Sequence, residues 1–414
     1  MGLVLASSFM VGAAIDLVVG CGLGRKLTSA ASAGRLQLLG SVLCSIALIA
    51  VFVGAWMPPN LRLGYALVTG IAFRFAFASY DIPQNALMSL ATATAPGRLH
   101  IASTRIWFSG AASLIIASVV GPLISLHGHS AGVSYLLVMA GTFSVAAIAS
   151  AAALKWFVRD VPGIPVADPG SLPSSPTSAA SFWLVVACMF VTSAFTQIFP
   201  KLEPYFAAYA LRSAWWGGVI MVSMAVGIIV GQPIWLRLSR RFPRAFVMLF
   251  AAMTQIAALA VFGVVGATIP IAAALAATIF GVGNGGVGMI QWAAFTDMVA
   301  TRTPERTGLS YGLFGASGKI GLAIGGLTLS AMIAGADSSA PAHSTLARLM
   351  AVIPALGAFI VMMLAVALFL HERRQKRAAT DSSNVLFGSL LLAAISHEND
   401  RRLPDRSDVP ASDA

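Results

Sequence analysis

The chain has 414 residues, 58% hydrophobic and only 10% charged, with a mean hydropathy of +0.85. An ordinary soluble domain, about 25% charged, is excluded. The composition fits an all-α integral membrane protein whose long apolar stretches, about 20 residues each, cross the bilayer as helices.

Eleven spans follow in chain order, near 2–22, 36–56, 63–92, 101–126, 132–158, 181–205, 214–237, 244–267, 270–298, 306–334 and 345–371. Segment 159–180 (RDVPGIPVADPGSLPSSPTSAA) is rich in Pro and Ser. It reads as a flexible central linker. The linker separates an N-terminal bundle of five spans (1–158) from a C-terminal bundle of six (181–371). The tail, 372–414, is polar except for VLFGSLLLAAI at 385–395. That run rises only about 16 Å as a helix, too little to cross a bilayer. It reads as a surface-lying helix or a disordered segment. Cys21, Cys44 and Cys188 lie in apolar runs without metal-ligand spacing and read as packing residues.

The basic residues give the orientation. One set of loops and helix ends holds Arg25, Lys26, Arg35, Arg98, Lys155, Arg159, Arg237, Arg240, Arg241, Arg244, Arg302, Arg306, Arg373, Arg374, Lys376 and Arg377. The opposite set holds Arg62, Lys201, Arg212 and Arg348. Positive charge stays on the cytoplasmic side. The N-terminus is therefore expected outside, with the linker and C-terminus in the cytoplasm and the chain in the cytoplasmic (inner) membrane. This one-sided charge also argues against a nucleic-acid partner for the net +11.

Five ionisable residues interrupt the apolar runs: Asp16, Arg74, Asp81, Asp297 and Lys319. Each costs about 2.5–3.5 kcal/mol at bilayer depth on insertion scales, so such groups are kept for pathways and binding sites. Their spread over both halves suggests a transporter rather than an anchor or an enzyme.

The halves look like repeats. GLGRKLTSAASAGR (22–35) corresponds to WLRLSRRFPR (235–244), and APGRLHIASTRIWFSG (95–110) to TPERTGLSYGLFGASG (303–318). The offsets are 216 (Arg25 to Arg241) and 208 (Arg98 to Arg306). Parallel repeats of this size are the build of the major facilitator superfamily, two six-helix halves around a midplane site. The alignment makes the first span here the second of its half, so one helix of the twelve is expected to be missing before it.

The run YDIPQNALMSLATATAPGRLHIASTRIWFSGAAS (80–113) resembles the fourth and fifth helices of the glycoside–pentoside–hexuronide:cation symporters, the melibiose-permease-like branch of that superfamily. QWAAFTDMVATRTPERTGLSYGLFGASGKIGLAIGG (291–326) resembles helices ten and eleven. The resemblance implies that Asp81 and Arg105 hold sugar hydroxyls, that Lys319 lies between sugar and cation sites, and that Asp16 is the cation-site acid. Gly12, Leu17, Gly24 and Ala78 depart from the family pattern. Gly12 stands where the family has a second cation carboxylate.

Each residue carries two readings. Asp81 is either an acceptor from adjacent sugar hydroxyls or an interhelical polar clasp. Arg74, seven residues away, lies on the same side of the helix and reads as a partner for a neighbouring carboxylate. Arg105 is a sugar ligand or a charge that snorkels to the interface. Lys319 exchanges partners between Asp16 and Asp81, or forms a static pair. Asp297 is functional or simply pairs with Arg302 or Arg306. Gln291 and Trp292 are offered as substrate-binding residues, Trp292 by stacking on a pyranose ring, against a packing role. Tyr311 and Asn284 are weaker candidates. GVGNGGVG (281–288) lacks a phosphate loop's ending and reads as a site of close packing or bending.

The function expected is sugar or glycoside:cation symport by alternating access. Protons are favoured over sodium, because Asp16 lacks the neighbouring oxygens that sodium needs. No cofactor, metal or catalytic residue is called for, and the expected partners are a small-molecule solute and the lipid bilayer, with the protein a monomer. The rivals are transport of an amphiphilic non-sugar solute on the same scaffold, and a non-transporting or truncated membrane protein.

Overall fold

In the computed structural model, residues 2–126, 129–161, 179–301, 306–335 and 343–400 are described. They are helical throughout, with α1 (Gly2–Gly24), α2 (Ala30–Val53), α3 (Pro59–Leu90), α4 (Ala95–Leu126), α5 (His129–Val158), α6 (Ala179–Val191), α7 (Ile198–Tyr205), α8 (Ala214–Ser239), α9 (Arg244–Val265), α10 (Pro270–Ala300), α11 (Thr307–Gly335) and α12 (His343–Asp400). α6 and α7 form one crossing interrupted by a π-helical turn, Thr192–Thr196, and a second π turn, Phe206–Leu211, follows. Eleven helical segments among the described residues are long and apolar enough to cross a membrane, matching the eleven expected spans. Most of the linker lies outside the described residues.

Local chemistry sets the helix starts. Ser29 caps α2 through a reciprocal pair: its Oγ accepts from Ser32 N (3.2 Å), and Ser32 Oγ accepts from Ser29 N (3.1 Å). Those contacts satisfy donors that the first turn leaves open. Ser213 caps α8 by accepting from Trp216 N. Pro59 and Pro270 occupy first-turn positions, where a missing N–H costs nothing.

The membrane helices through Leu368 form one compact unit. α2 packs on α3 and α5, and α10 packs on α8 and α9. Contacts also join the first five helices to the later six, chiefly α1 with α11 and α4 with α8. Two of these seams are glycine-lined. A Cβ on Gly227 would sit 2.0 Å from Thr278 O, and one on Gly281 2.1 Å from Met224 O, so α8 and α10 meet backbone to backbone. On α1 and α11, Cβ atoms at Gly20 and Gly308 would fall 2.7 Å from Gly308 O and 2.5 Å from Gly20 O. Small residues let helices approach this closely, and dispersion then holds them. The GVGNGGVG run is unbroken helix within α10. Its glycines serve packing.

One cluster of large apolar side chains locks α6, α10 and α11 together. Phe295 stacks on Phe314 with centroids 4.0 Å apart and meets Phe182 at 5.8 Å. The segment after Leu368, by itself, continues α12 as helix to Asp400. Arg373 stacks on Phe369 there, 4.4 Å from the ring centre. The tail is thus helical where the sequence left a disordered segment open. ERRQKRAA supplies strong helix formers, and no Pro interrupts the stretch before Pro404.

Candidate functional site

α1 and α11 bring Asp16 against Lys319. Nζ lies 2.5 Å from Asp16 Oδ1, and the two side chains are 13% and 5% exposed, the lysine and the aspartate respectively. Gly12, one turn earlier on α1, makes room for the pair. A Cβ there would touch Lys319 Cδ at 3.4 Å and Arg74 Cδ at 3.5 Å. Lys319 Nζ also lies 5.6 Å from the Phe77 ring centre. The ion pair therefore joins helices that belong to the two different halves.

A second constellation runs across α3, α4 and α10. Asn85, one turn after Asp81, donates Nδ2 to Asp81 Oδ2 at 2.9 Å. Arg105 Nη1 donates to Asn85 Oδ1. The Arg105 guanidinium lies over the Trp292 ring, 3.8 Å from its centre, and Trp292 meets Phe314 edge-on at 4.8 Å. The polar chain thus reads Asp81–Asn85–Arg105–Trp292. Asp81 and Arg105 share Asn85 as a common partner. Arg105 turns inward here instead of snorkelling. The sequence reading does not single out Asn85, although its i+4 spacing from Asp81 is the helical spacing at which such side chains meet.

A cavity of about 200 Å³ opens between α4, α6, α8 and α10. Its polar lining includes Ser109, Thr192, Gln197, Asn284, Gln291 and Trp292, with no charged residue. Thr192, on the π turn, lies 3.4 Å from Gln291 Oε1. The Gln291 Nε2 is buried with no hydrogen-bond partner. Of the expected substrate residues, Gln291 and Trp292 line this cavity. Asp81, Arg105 and Lys319 do not. Trp292 connects the cavity to the Asp81–Arg105 chain.

A family model described as "MFS/sugar transport protein" matches residues 1–372. The chain belongs to this branch of the major facilitator superfamily. It is a transporter and not an enzyme. Among solved structures, the MFS transporter FucP in its outward conformation aligns with a TM-score of 0.58 at 16% identity, covering 89% of each chain. A structure of the E. coli fucose:proton symporter FucP gives 0.54 at 14%, covering 88% of this chain and 97% of that one. A bacterial homologue of the iron transporter ferroportin, outward-facing, gives 0.60 at 13%, covering 88% and 89%. At such identities the likeness is one of fold. No curated protein matches the chain.

In this MFS protein, the pairing expected of Asp297 differs from the sequence reading. Asp297 does not pair with Arg306, which is exposed, and Arg302 lies outside the described residues. It pairs instead with Arg98 Nε at 2.5 Å and with Arg244 Nη1. Arg98 opens α4 and Arg244 opens α9, so both helix starts deliver a guanidinium to the end of α10. Arg98 also donates to Thr92 O (2.9 Å) and Arg244 to Ala95 O (3.0 Å). Asp297 therefore clasps the basic-loop end of both halves. Arg74 donates Nη2 to Ser8 Oγ at 2.9 Å and stacks near Phe9, and it is attracted by the neighbouring Asp16 carboxylate from beyond ion-pair distance.

Two further charges lie in a crossing that the sequence reading treats as apolar. The sequence reading places Lys201 among the loop charges and assigns Glu203 no role. Both lie within α7. Glu203 is 6% exposed, with an unpartnered Oε1. The signal was present as two charges in a crossing that is apolar elsewhere.

Proposed function

We propose that this protein is a secondary active transporter of sugar or glycoside-like solutes, coupled to protons in preference to sodium. The observation that carries the reading is the Asp16–Lys319 pair, which ties α1 to α11 across the two halves. Protonating Asp16 removes the charge that holds Lys319, so proton binding biases the arrangement of the halves. Sodium would have to displace the ammonium and recruit several oxygens, while Gly12 and Ala78 stand where the family offers more. Asp81, Asn85 and Arg105 supply acceptors and donors suited to adjacent hydroxyls, and Trp292 offers an aromatic face. The partial likeness to a fucose:proton symporter supports the same reading.

The orientation follows the basic loops, with the Asp297 clasp on the cytoplasmic side of the inner membrane. The Asp297 contacts then hold the cytoplasmic ends of the halves together, while Asp16–Lys319 joins them deeper in the membrane, as one stage of alternating access requires. A second reading, an amphiphilic non-sugar solute, draws support from the apolar wall that Ile106, Met189, Ile228 and Val287 give the cavity.

The test is uptake into proteoliposomes under an imposed pH gradient or an imposed sodium gradient, with a panel of labelled sugars. Proton-driven, protonophore-sensitive uptake is expected. Uptake driven by sodium alone would refute the coupling, and uptake of an apolar cation or lipid analogue in place of every sugar would favour the second reading.

A further inference from the structure

We propose that Arg74 and Lys201 form a docking site for an anionic group of the transported solute: a carboxylate, sulfonate or phosphate. The inference rests on the transporter reading and adds a charge to its substrate class. Lys201 Nζ is buried and has no hydrogen-bond partner. Arg74 has a single side-chain hydrogen bond among the described residues, to the neutral Ser8 hydroxyl. Neither forms an ion pair there.

Both cations converge on one ring. The Arg74 guanidinium carbon lies 5.2 Å, and Lys201 Nζ 5.8 Å, from the centre of Phe9. An aromatic face attracts a cation but offsets only part of its desolvation. The nearby carboxylates are otherwise engaged. Asp16 holds Lys319 at 2.5 Å. Asp81 takes the Asn85 amide. Glu203, two residues after Lys201, projects from the far side of α7, where its Oε1 would lie 2.5 Å from a Cβ on Gly217 of α8.

Two positive charges therefore share one apolar neighbour: Asp16, already held by Lys319, attracts Arg74 from beyond ion-pair distance, and Lys201 has no ion-pair partner among the described residues. Buried charges are stable when paired and hydrogen-bonded. A solute anion supplies both conditions, through the fork of Arg74 and the point charge of Lys201. Arg74 sits on α3 in the first half and Lys201 on α7 in the second. An anion held by both would bridge the halves, so its binding would be sensitive to their arrangement.

The experiment is equilibrium binding of radiolabelled sulfate to the purified full chain in a non-ionic detergent at fixed ionic strength. Saturable binding is expected, displaced by glucuronate and not by glucose. Arg74→Gln and Lys201→Gln should each weaken it at least tenfold, while Lys201→Arg, which keeps the charge, should restore most of it and controls for folding. Absence of saturable sulfate binding to the unaltered protein, or binding unchanged in both Gln variants, would overturn the inference. Displacement by phosphatidylglycerol but not by glucuronate would overturn the solute assignment in favour of a lipid headgroup. Uptake of neutral glycosides is scored separately. Its failure alongside intact sulfate binding would sink the sugar reading and leave the anion site standing.

Discussion

Replacing Lys319 with Met isolates the contribution of the ion pair between α1 and α11. The substitution keeps an unbranched side chain of similar length but leaves the Asp16 carboxylate, 5% exposed, without its 2.5 Å partner. Removing one member of a buried pair costs about 3–5 kcal/mol, because the remaining charge is left uncompensated. In a chain of this size that corresponds to a fall in melting temperature on the order of 5 °C. Asp16→Asn should cost less, because the long lysine stem can carry its ammonium toward water and Phe77 faces it at 5.6 Å. The double variant Asp16→Asn with Lys319→Met should recover most of the loss, since a neutral pair has no charge to desolvate. The assay is thermal melting of the four proteins in one detergent, followed by tryptophan fluorescence. A Lys319→Met protein that melts with the unaltered one would refute the reasoning. So would a double variant no more stable than that single one.

Asp297→Asn should release Arg98 and Arg244 from the end of α10 and loosen the basic-loop end of the bundle, read as faster labelling of a cysteine placed at Ala95 by a thiol reagent. Gly308→Ala places a methyl 2.5 Å from Gly20 O, and prying α1 from α11 should cost about 1–3 kcal/mol, read as a lower melting temperature. Arg212 holds φ at 50° between the second π turn and α8, so Arg212→Gly should be neutral or stabilise by up to about 1 kcal/mol in the same assay. Asn85→Ala should weaken sugar binding as strongly as Asp81→Asn, because it breaks the hydrogen-bonded bridge between Asp81 and Arg105, measured by isothermal titration of a bound sugar.

Much of this was legible in the sequence because bilayer physics is severe. Long apolar runs have few alternatives to helices, and the eleven spans emerged from composition and length. The isolated charges within those runs marked Asp16 and Lys319 as special. Their pairing was one of two readings, and it rests on a contact 303 residues apart in sequence. Partner choice was harder. Arg98 meets Asp297 across 199 residues, and no local spacing announces that, whereas Arg302 and Arg306 were near in sequence and so drew the expectation. Lys201 was hidden by its place near an expected span end. Only the actual path of α7 shows its Nζ to be buried. Asn85 stands inside the YDIPQN run, yet a neutral amide costs far less to bury than a charge and so gives a weaker signal in an apolar helix.

The π turn at Thr192–Thr196 gives this crossing an unusual tolerance. A π turn is a helix that has absorbed one extra residue locally. Deleting one residue within it lets the segment relax to ordinary α-helix while Val191 and Ile198 keep their faces. The same deletion inside α7 would turn everything beyond it by about 100°, carrying Lys201 or Glu203 away from its neighbours. Length variation should therefore be survivable at the two π turns of the sixth crossing and ruinous in α7 between them. A scan of single-residue deletions along 185–210 would draw that boundary without reference to any substrate.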